Sequence, residues 1–557
     1  MRKNLSWGGL AGCMSLILAG LASAAIVTVP TDYPTIQQAM NAAVSEDTIL
    51  VMPGRYFENI DFKLKNLVVA SRYLLTGDPN DITATIIDGS APSHPDSASC
   101  VRIVGFQDSR TKLTGFTLTG GSGTRWLDVS DGKYYREGGG ILIENTSPIV
   151  AYNYIVDNQA TNAASSMSAG GGAIRAGFGD GAKFIGNVIA YNQGLYGAGV
   201  VIFHYSAEFK NNIFWRNSGG TMYGGAGLWI WNSNDHAPTY LDNNTFAENN
   251  SVLHGGGLDV INSDIFITNN IFWGNTSPTG PQISFGPGVS SVINFCDIQG
   301  GGFTGTSITN EDPIFGPANL LLLPGSPCID SGNPDLPYND REDLGNPGTA
   351  LAPSQGTIRN DRGAYGGPDA RPAFLFTSSQ LHIPTDSVDF GSVQLGSFVQ
   401  RYAIVTKSGF VPVQIDSAKF ALSSAPVIEN LTTLPHLFRA RADRDSLLLK
   451  WQPAVKGTLR DTILIFHSDT MFSNPLRLPL KGLAIGCCFD KTGNVNQIGI
   501  VDLADLSALV SYLTGGGYSL PCAEAANVNA TGIVDLADLS ALVSYLTGGG
   551  FILPNCA

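Results

Sequence analysis

Two stretches, "NVNQIGIVDLAD" at 494–505 and "NVNATGIVDLAD" at 527–538, space oxygen-bearing side chains as a calcium loop does. Counted from the first residue, Asn494, Asn496, Asp502 and Asp505 fall at positions 1, 3, 9 and 12. Asn527, Asn529, Thr531, Asp535 and Asp538 fall at positions 1, 3, 5, 9 and 12. Gly499 and Gly532 stand at position 6, where the chain turns sharply around the ion. Affinity in such loops grows with the number and charge of the ligands. Each loop offers two carboxylates, and Ile498 leaves the first without a side-chain oxygen at position 5, so weak Ca2+ binding is expected, weakest in the first loop.

A second group mixes aromatic and charged side chains: Phe203, Trp229 and Trp231 with Arg136, Glu137, Tyr196, Tyr223, His254 and Asp259. Aromatic faces stack on sugar rings, and polar groups at their edge reach the hydroxyls. These residues are far apart in the chain, so they form a site only if the fold brings them to one face.

The elements that would do so repeat. "YNYIVDN", "GNVIAYN", "NNIFWRN", "NNTFAEN" and "NNIFWGN" each carry Asn residues five apart: Asn153 and Asn158, Asn187 and Asn192, Asn212 and Asn217, Asn244 and Asn249, Asn270 and Asn275. Glycine clusters precede each pair, ending at Gly140, Gly172, Gly199, Gly227 and Gly257, which gives a period of 27 to 32 residues. Short β-rich runs at such a period predict a parallel β-helix. The first and third residues after each cluster are nearly all apolar, as an inward strand face requires, with Arg175 the misfit. Second and fourth positions then face outward, which stacks Phe203, Trp229, Trp231 and Asp259 on neighbouring coils as an exposed aromatic patch. Arg136, Glu137, Tyr196, Tyr223 and His254, just before the glycines, crowd its rim. The Asn pairs are read as ladders, tolerating left-handed turns and hydrogen-bonding from coil to coil.

Composition agrees. Of 557 residues 66 are glycine, against an average of about 7%. A net charge of -14 argues against nucleic acid, and no segment has the apolar length of a membrane span. Arg2 and Lys3 precede the apolar run "MSLILAGLASAA", so residues 1–24 are predicted to be a signal peptide and the mature chain to be secreted. "LAGC" at 10–13 spells a lipobox, but the segment before it is short and polar, which favours release over lipid anchoring. Cys487, Cys488, Cys522 and Cys556 flank a duplicated segment and supply one or two disulfides in any of three pairings. Cys100, Cys296 and Cys328 are read as buried small side chains.

Residues 25–371 resemble the pectin-lyase-like right-handed parallel β-helix proteins. "TIQQAMNAAVSEDTILVMPGRYFENI" looks like their start, a capping helix with Ile36, Met40 and Ala43 on one side, and "SPCIDSGNP" and "NDRGAYGG" look like their closing segments. That resemblance implies fold and leaves activity open, since the same coil carries lyases, hydrolases and inert scaffolds. In residues 372–482 period-two strands replace the glycines, predicting a β-sandwich; "DFGSVQLGS" resembles Ig-like modules of the abnormal-spindle or choice-of-anchor type, which serve as spacers. Residues 483–557 repeat "GIVDLADLSALVSYLTGGG" at 499–517 and 532–550, two amphipathic helices each behind one of the loops above. Tandem loop-helix units of this kind resemble a type I dockerin, which implies docking onto a cohesin-like or cell-surface scaffold protein. The fold class is therefore mainly β: a right-handed parallel β-helix, an Ig-like sandwich and a small α-helical tail.

No catalytic residue can be assigned. Glu144 and Asp259 share a face four coils apart, about 19 Å, beyond the roughly 5–9.5 Å of a glycosidase pair. The loop 124–140 gathers Arg125, Lys133 and Arg136 with Asp128, Asp131 and Glu137, a mix that serves a lyase or simply a solvated surface. Neither the paired-Asp strings of polygalacturonases nor the Arg-rich strings of pectate lyases are present. Two functions stand: a secreted β-helix that binds, or binds and cleaves, extracellular polysaccharide and carries a docking tail, and a non-catalytic adhesive β-helix.

Overall fold

The computed structural model describes residues 24–231, 236–316, 320–372, 380–384, 386–395, 397–408, 413–422, 428–438, 444–468, 474–486, 488 and 491–556. The predicted signal peptide, residues 1–24, lies outside them except for Ala24, and so does Cys487. The chain divides into two compact units, Met1–Leu375 and Phe376–Ala557.

In the first unit three sheets of sixteen, nine and eight strands carry the chain around successive coils. Among the described residues every pairing between strands here is parallel, except those that a hairpin, Gly123–Asp128 and Lys133–Glu137, makes within itself and with Ser97–Ala98. This is a parallel β-helix. Its register stacks Ile141, Ile174, Val200, Leu228 and Leu258 in one inward column and Ile143, Ala176, Ile202, Ile230 and Val260 in another. All ten are buried in one continuous core. The helix Ile36–Ala42, capped by the Thr35 hydroxyl, lays Ile36 and Met40, with Ala43 beyond its end, on that same core.

The glycines are needed because neighbouring coils touch through their backbones. A Cβ on Gly199 would stand 2.3 Å from the Gly227 carbonyl oxygen, and one on Gly227 as close to that of Gly257. In the second coil Ala173 takes the place of the last glycine, pairing in register with Gly199 through hydrogen bonds from Ala173 and Ile174. The strand therefore starts one residue later than the glycines suggest. Arg175 pairs with Leu142 and Val201 in the outward column, and it is no misfit of the core.

Two ladders of buried amides fill the turns. Asn212 Nδ2 donates to the Phe184 carbonyl at 2.8 Å and to Asn244 Oδ1 at 3.0 Å, while Asn212 Oδ1 accepts the Asn187 backbone N–H and Nδ2, both at 3.0 Å. The same pattern runs from Asn153 to Asn270 and from Asn158 to Asn275. The left-handed residue is the one before each ladder Asn, for instance Tyr152, Asn211 and Arg216, so the amides serve the ladder and not the turn itself. The first ladder passes to the Cys296 thiol after Asn270. Cys100, Cys296 and Cys328 are buried, and burial pushes the Cys100 and Cys296 thiols up to about 12.

Among the described residues of the second unit a four-stranded and a five-stranded sheet share one core, with Leu447, Leu449 and Trp451 from one and Phe390, Ile463 and Leu480 from the other. Helices Leu503–Leu513 and Leu536–Leu546 follow, each begun by a capping box, Asp502 with Asp505 and Asp535 with Asp538. Leu509 and Leu542 are buried between them, but Leu503 and Leu536, which the three-and-four spacing of the leucines puts on the apolar side of each helix, are 70% and 72% exposed. Cys488 and Cys556 form one of the three possible pairings, and Cys522 is also disulfide-bonded.

Replacing Asn212 by Ala would orphan the Asn187 N–H and the Phe184 carbonyl, each a buried group worth about 1–3 kcal/mol when left unpaired. Urea denaturation of Asn212→Ala is expected to show a loss of roughly 2–5 kcal/mol, with faster hydrogen exchange in the two neighbouring coils.

Candidate functional site

The outward face meets the hairpin. Its turn, "DVSDGK", is closed locally: Asp128 Oδ1 accepts the Ser130 N–H at 2.8 Å, Asp131 Oδ1 accepts the Lys133 N–H at 2.9 Å, and Gly132 is left-handed. Between this turn and the coils lies a cavity of about 290 Å³ lined by Asp128, Ser130, Asp131, Tyr135, Glu137, Tyr196, Val201, Phe203, His204, Tyr223, Trp229 and Trp231. That is near the lower end of the volumes of ligand pockets. A larger depression of about 820 Å³ on the second unit has, among the described residues, no aromatic side chain in its lining.

The predicted residues divide. Phe203, Trp229, Trp231, Glu137 and Tyr196 come together as expected, because parallel register turns equal positions into neighbours: Val201 pairs with Trp229 and Phe203 with Trp231. Trp229 and Trp231 meet edge to face at 5.5 Å, and Tyr196 lies 5.2 Å from Trp229. The patch is not open, however. Trp229 is 2% exposed, and Trp231 and Phe203 are half-buried, so the aromatics form the wall of a pocket and not a bare surface.

Arg136, His254 and Asp259 stay out of this lining. Neighbouring residues of a strand point to opposite faces; with Tyr135 and Glu137 turned to the cavity, Arg136 turns away and binds Asp96 at 2.6 Å and the Pro95 carbonyl. Asp259 lies one strand beyond Trp229 and pairs with His254 at 3.0 Å. Burial raises the Asp259 carboxyl, and His254 opposes that rise.

Arg175 is the residue that the sequence concealed. Fully buried, it contacts Glu137 through Nε at 2.8 Å and Glu144 through Nη1, while its guanidinium lies 5.9 Å from the Phe203 ring centre. Glu137 also accepts a hydrogen bond from the Tyr196 hydroxyl at 2.6 Å. Burial holds the Glu137 carboxyl above the usual range even though Arg175 and Tyr196 both pull it down. One cation therefore serves two buried carboxylates. Asp128 and Asp131, legible only as parts of a mixed-charge loop, reach the cavity because the hairpin folds back over the coils.

At the far end of the chain the two loops close on their last carboxylates. Asp505 is fully buried and accepts the N–H groups of Asn496 and Asp502, both at 2.9 Å; Asp538 does the same for Asn529 at 3.0 Å and Asp535 at 2.8 Å. Gly499 and Gly532 are left-handed, as a turn at position 6 requires. Asn527 Oδ1 accepts the Thr531 N–H at 3.0 Å, and Thr531 donates its hydroxyl to Asn529. In the first loop Asn494 Oδ1 is buried with no hydrogen-bond partner, an oxygen of the kind a cation would take up. Asp502 and Asp535 cap their helices by accepting the N–H of Ala504 and Ala537. Among the described residues no three His, Cys, Asp or Glu side chains converge as a metal site, so any ion here must rely on Asn and Thr oxygens as well.

No family model matches this chain, and no curated protein matches it. Among solved structures, a pectin methylesterase from carrot aligns at 15% identity over 48% of this chain and 87% of its own, with a TM-score of 0.23. The ASH/PapD-like domain 7 of human CEP192 aligns at 13% identity over 20% of this chain and 87% of its own, with a TM-score of 0.15. Likenesses at these scores carry no argument, and the β-helix rests on the strand register alone. Among the described residues no helix is long and apolar enough to cross a membrane.

Truncating Arg175 would leave two carboxylates buried without their cation, a change that typically costs about 3–5 kcal/mol. Arg175→Met is expected to lose that much in denaturant titration, and Glu144→Gln added to it to restore part. A loss below about 1 kcal/mol would mean that water reaches these charges.

Proposed function

We propose that this is a secreted β-helix protein that binds extracellular polysaccharide in the pocket beneath the 123–137 hairpin. One observation carries the reading: Tyr196, Phe203, Tyr223, Trp229 and Trp231 share a cavity of about 290 Å³ with the carboxylates of Asp128, Asp131 and Glu137. Aromatic faces offer a sugar ring its apolar side, and the acids accept hydrogen bonds from its hydroxyls. Binding is favoured over cleavage because Glu137 is already engaged by Arg175 and Tyr196, so it has no free role as an acid or a nucleophile. The nine-stranded pair of sheets is read as an Ig-like spacer.

The tail is read as a dockerin-like module that attaches the protein to a cohesin-like or cell-surface scaffold. Supporting this are two identical helices that expose the same residues, Leu503 and Tyr512 on one, Leu536 and Tyr545 on the other. Asn494, Asn496 and Asp505, and Asn527, Asn529, Thr531 and Asp538, would hold Ca2+, with Asp502 and Asp535 at the helix starts. The ion would supply charge that draws these oxygens together, and nothing in the binding of sugar depends on it.

Affinity electrophoresis against neutral, acidic and cationic polysaccharides tests the pocket. Trp231→Ala and Phe203→Ala are each expected to weaken binding by about fivefold or more, since a stacked ring contributes on the order of 1 kcal/mol or more. New reducing ends or unsaturated products would replace the binding reading by a catalytic one, and the absence of any bound polysaccharide would end both. For the tail, calorimetric titration with Ca2+ is expected to give a Kd on the order of 10⁻⁴–10⁻³ M, as in weak extracellular loops. Asp538→Ala should abolish the tighter site; identical tail hydrogen exchange with Ca2+ and with chelator would refute the metal.

A further inference from the structure

The pocket is built for a particular charge. Its wall is largely aromatic, and aromatic rings carry a negative quadrupole on their faces that attracts cations, most strongly where water is excluded. Asp128, Asp131 and Glu137 share the lining with them and with His204, and among the described residues no Lys or Arg lines the cavity. The basic residues nearby lie outside the lining, with Arg175 and Lys133 each paired to one of its acids. Arg175 lies behind the wall between Glu137 and Glu144, Arg136 turns to Asp96, Lys133 lies 3.6 Å from Asp131 outside the lining, and Arg125 covers the Tyr134 ring at 3.7 Å. Asp131, though partly desolvated, is held below the usual carboxylate range by the Lys133 N–H and the Tyr135 hydroxyl, so it stays ionised.

We propose that this pocket selects a sugar bearing a protonated amine, a unit of a cationic amino-polysaccharide, over neutral or uronic sugars. The inference rests on the reading of the pocket as a sugar site and adds the charge of its ligand. A uronate would bring a further carboxylate against Asp128 and Asp131, and like charges at close range in a part-dried cavity repel. An acetylated amine keeps the ring for stacking but loses the charge for both the aromatic faces and the acids. An ammonium group suits the aromatic rings and the carboxylates of Asp128 and Asp131 at once.

The test is calorimetric titration of the full chain, at a pH where the amine is protonated, with four probes: a glucosamine oligosaccharide, its N-acetylated counterpart, an oligogalacturonate, and choline as a cation without a sugar ring. The glucosamine oligosaccharide is expected to bind at least about tenfold tighter than the acetylated one, with the preference shrinking in high salt. Asp128→Asn with Asp131→Asn should reduce the preference to about twofold while stacking keeps some affinity for the acetylated oligosaccharide. Equal binding of the two oligosaccharides, or tighter binding of the galacturonate, overturns the charge selection and leaves the sugar site standing. Binding of choline alone overturns the amino-sugar assignment. Failure of every probe, or binding that Trp231→Ala leaves intact, overturns the selection and the sugar pocket together.

Discussion

The β-helix depends on one constraint: a coil cannot satisfy its own backbone, so each must lie in register on the next. Strands about 4.8 Å apart exchange hydrogen bonds only with neighbouring coils, and the polar corners are buried. The Asn ladders meet that demand because an amide both donates and accepts. Asn187, Asn212 and Asn244 each take an N–H from the coil before and give one to a carbonyl or to the next amide. The glycines answer the same constraint from the steric side, since the Gly227 carbonyl leaves no room for a Cβ on Gly199.

Strict register has a consequence for chemistry. Residues with the same place in the repeat become a column, so an outward position can be varied from coil to coil without disturbing the core. The column Leu142, Arg175, Val201, Trp229, Asp259 runs from apolar through cationic and aromatic to acidic while the columns beside it remain Ile, Val, Ala and Leu. The hairpin Gly123–Asp128 and Lys133–Glu137 departs from the parallel plan, and it converts the Val201 and Trp229 part of this column from a surface into a cavity wall. Burying Arg175 with two acids under that wall carries a desolvation cost that an all-apolar packing would avoid. Its effect is to fix Glu137 in place at the cavity edge.

The second unit follows local rules twice over. Identical sequences at 499–517 and 532–550 produce identical caps and identical exposed residues, because the capping box and the apolar seam are decided within one turn or two of helix. The loops differ at positions 4 and 5, and a difference is visible: Asn527 Oδ1 accepts the Thr531 N–H, whereas the equivalent Asn494 Oδ1 finds no partner.

By itself the sequence determined whatever depends on spacing. The coil period, the amide ladders, the inward columns, and the meeting of Phe203 with Trp231 and of Val201 with Trp229 all follow from counting along a repeat whose copies must pair in register. Only the tertiary structure decided what departs from counting. Ala173 in place of a glycine displaced Arg175 by one residue and so from the core to the outer face, because a strand's faces alternate with every residue. The path of the hairpin, the turning of Arg136 to Asp96, the pairing of His254 with Asp259, and the choice of Cys488 with Cys556 rest on contacts that no local period encodes. Whether Trp229 is a bare surface or a cavity wall is settled by a segment about a hundred residues earlier folding over it, which spacing near Trp229 cannot express.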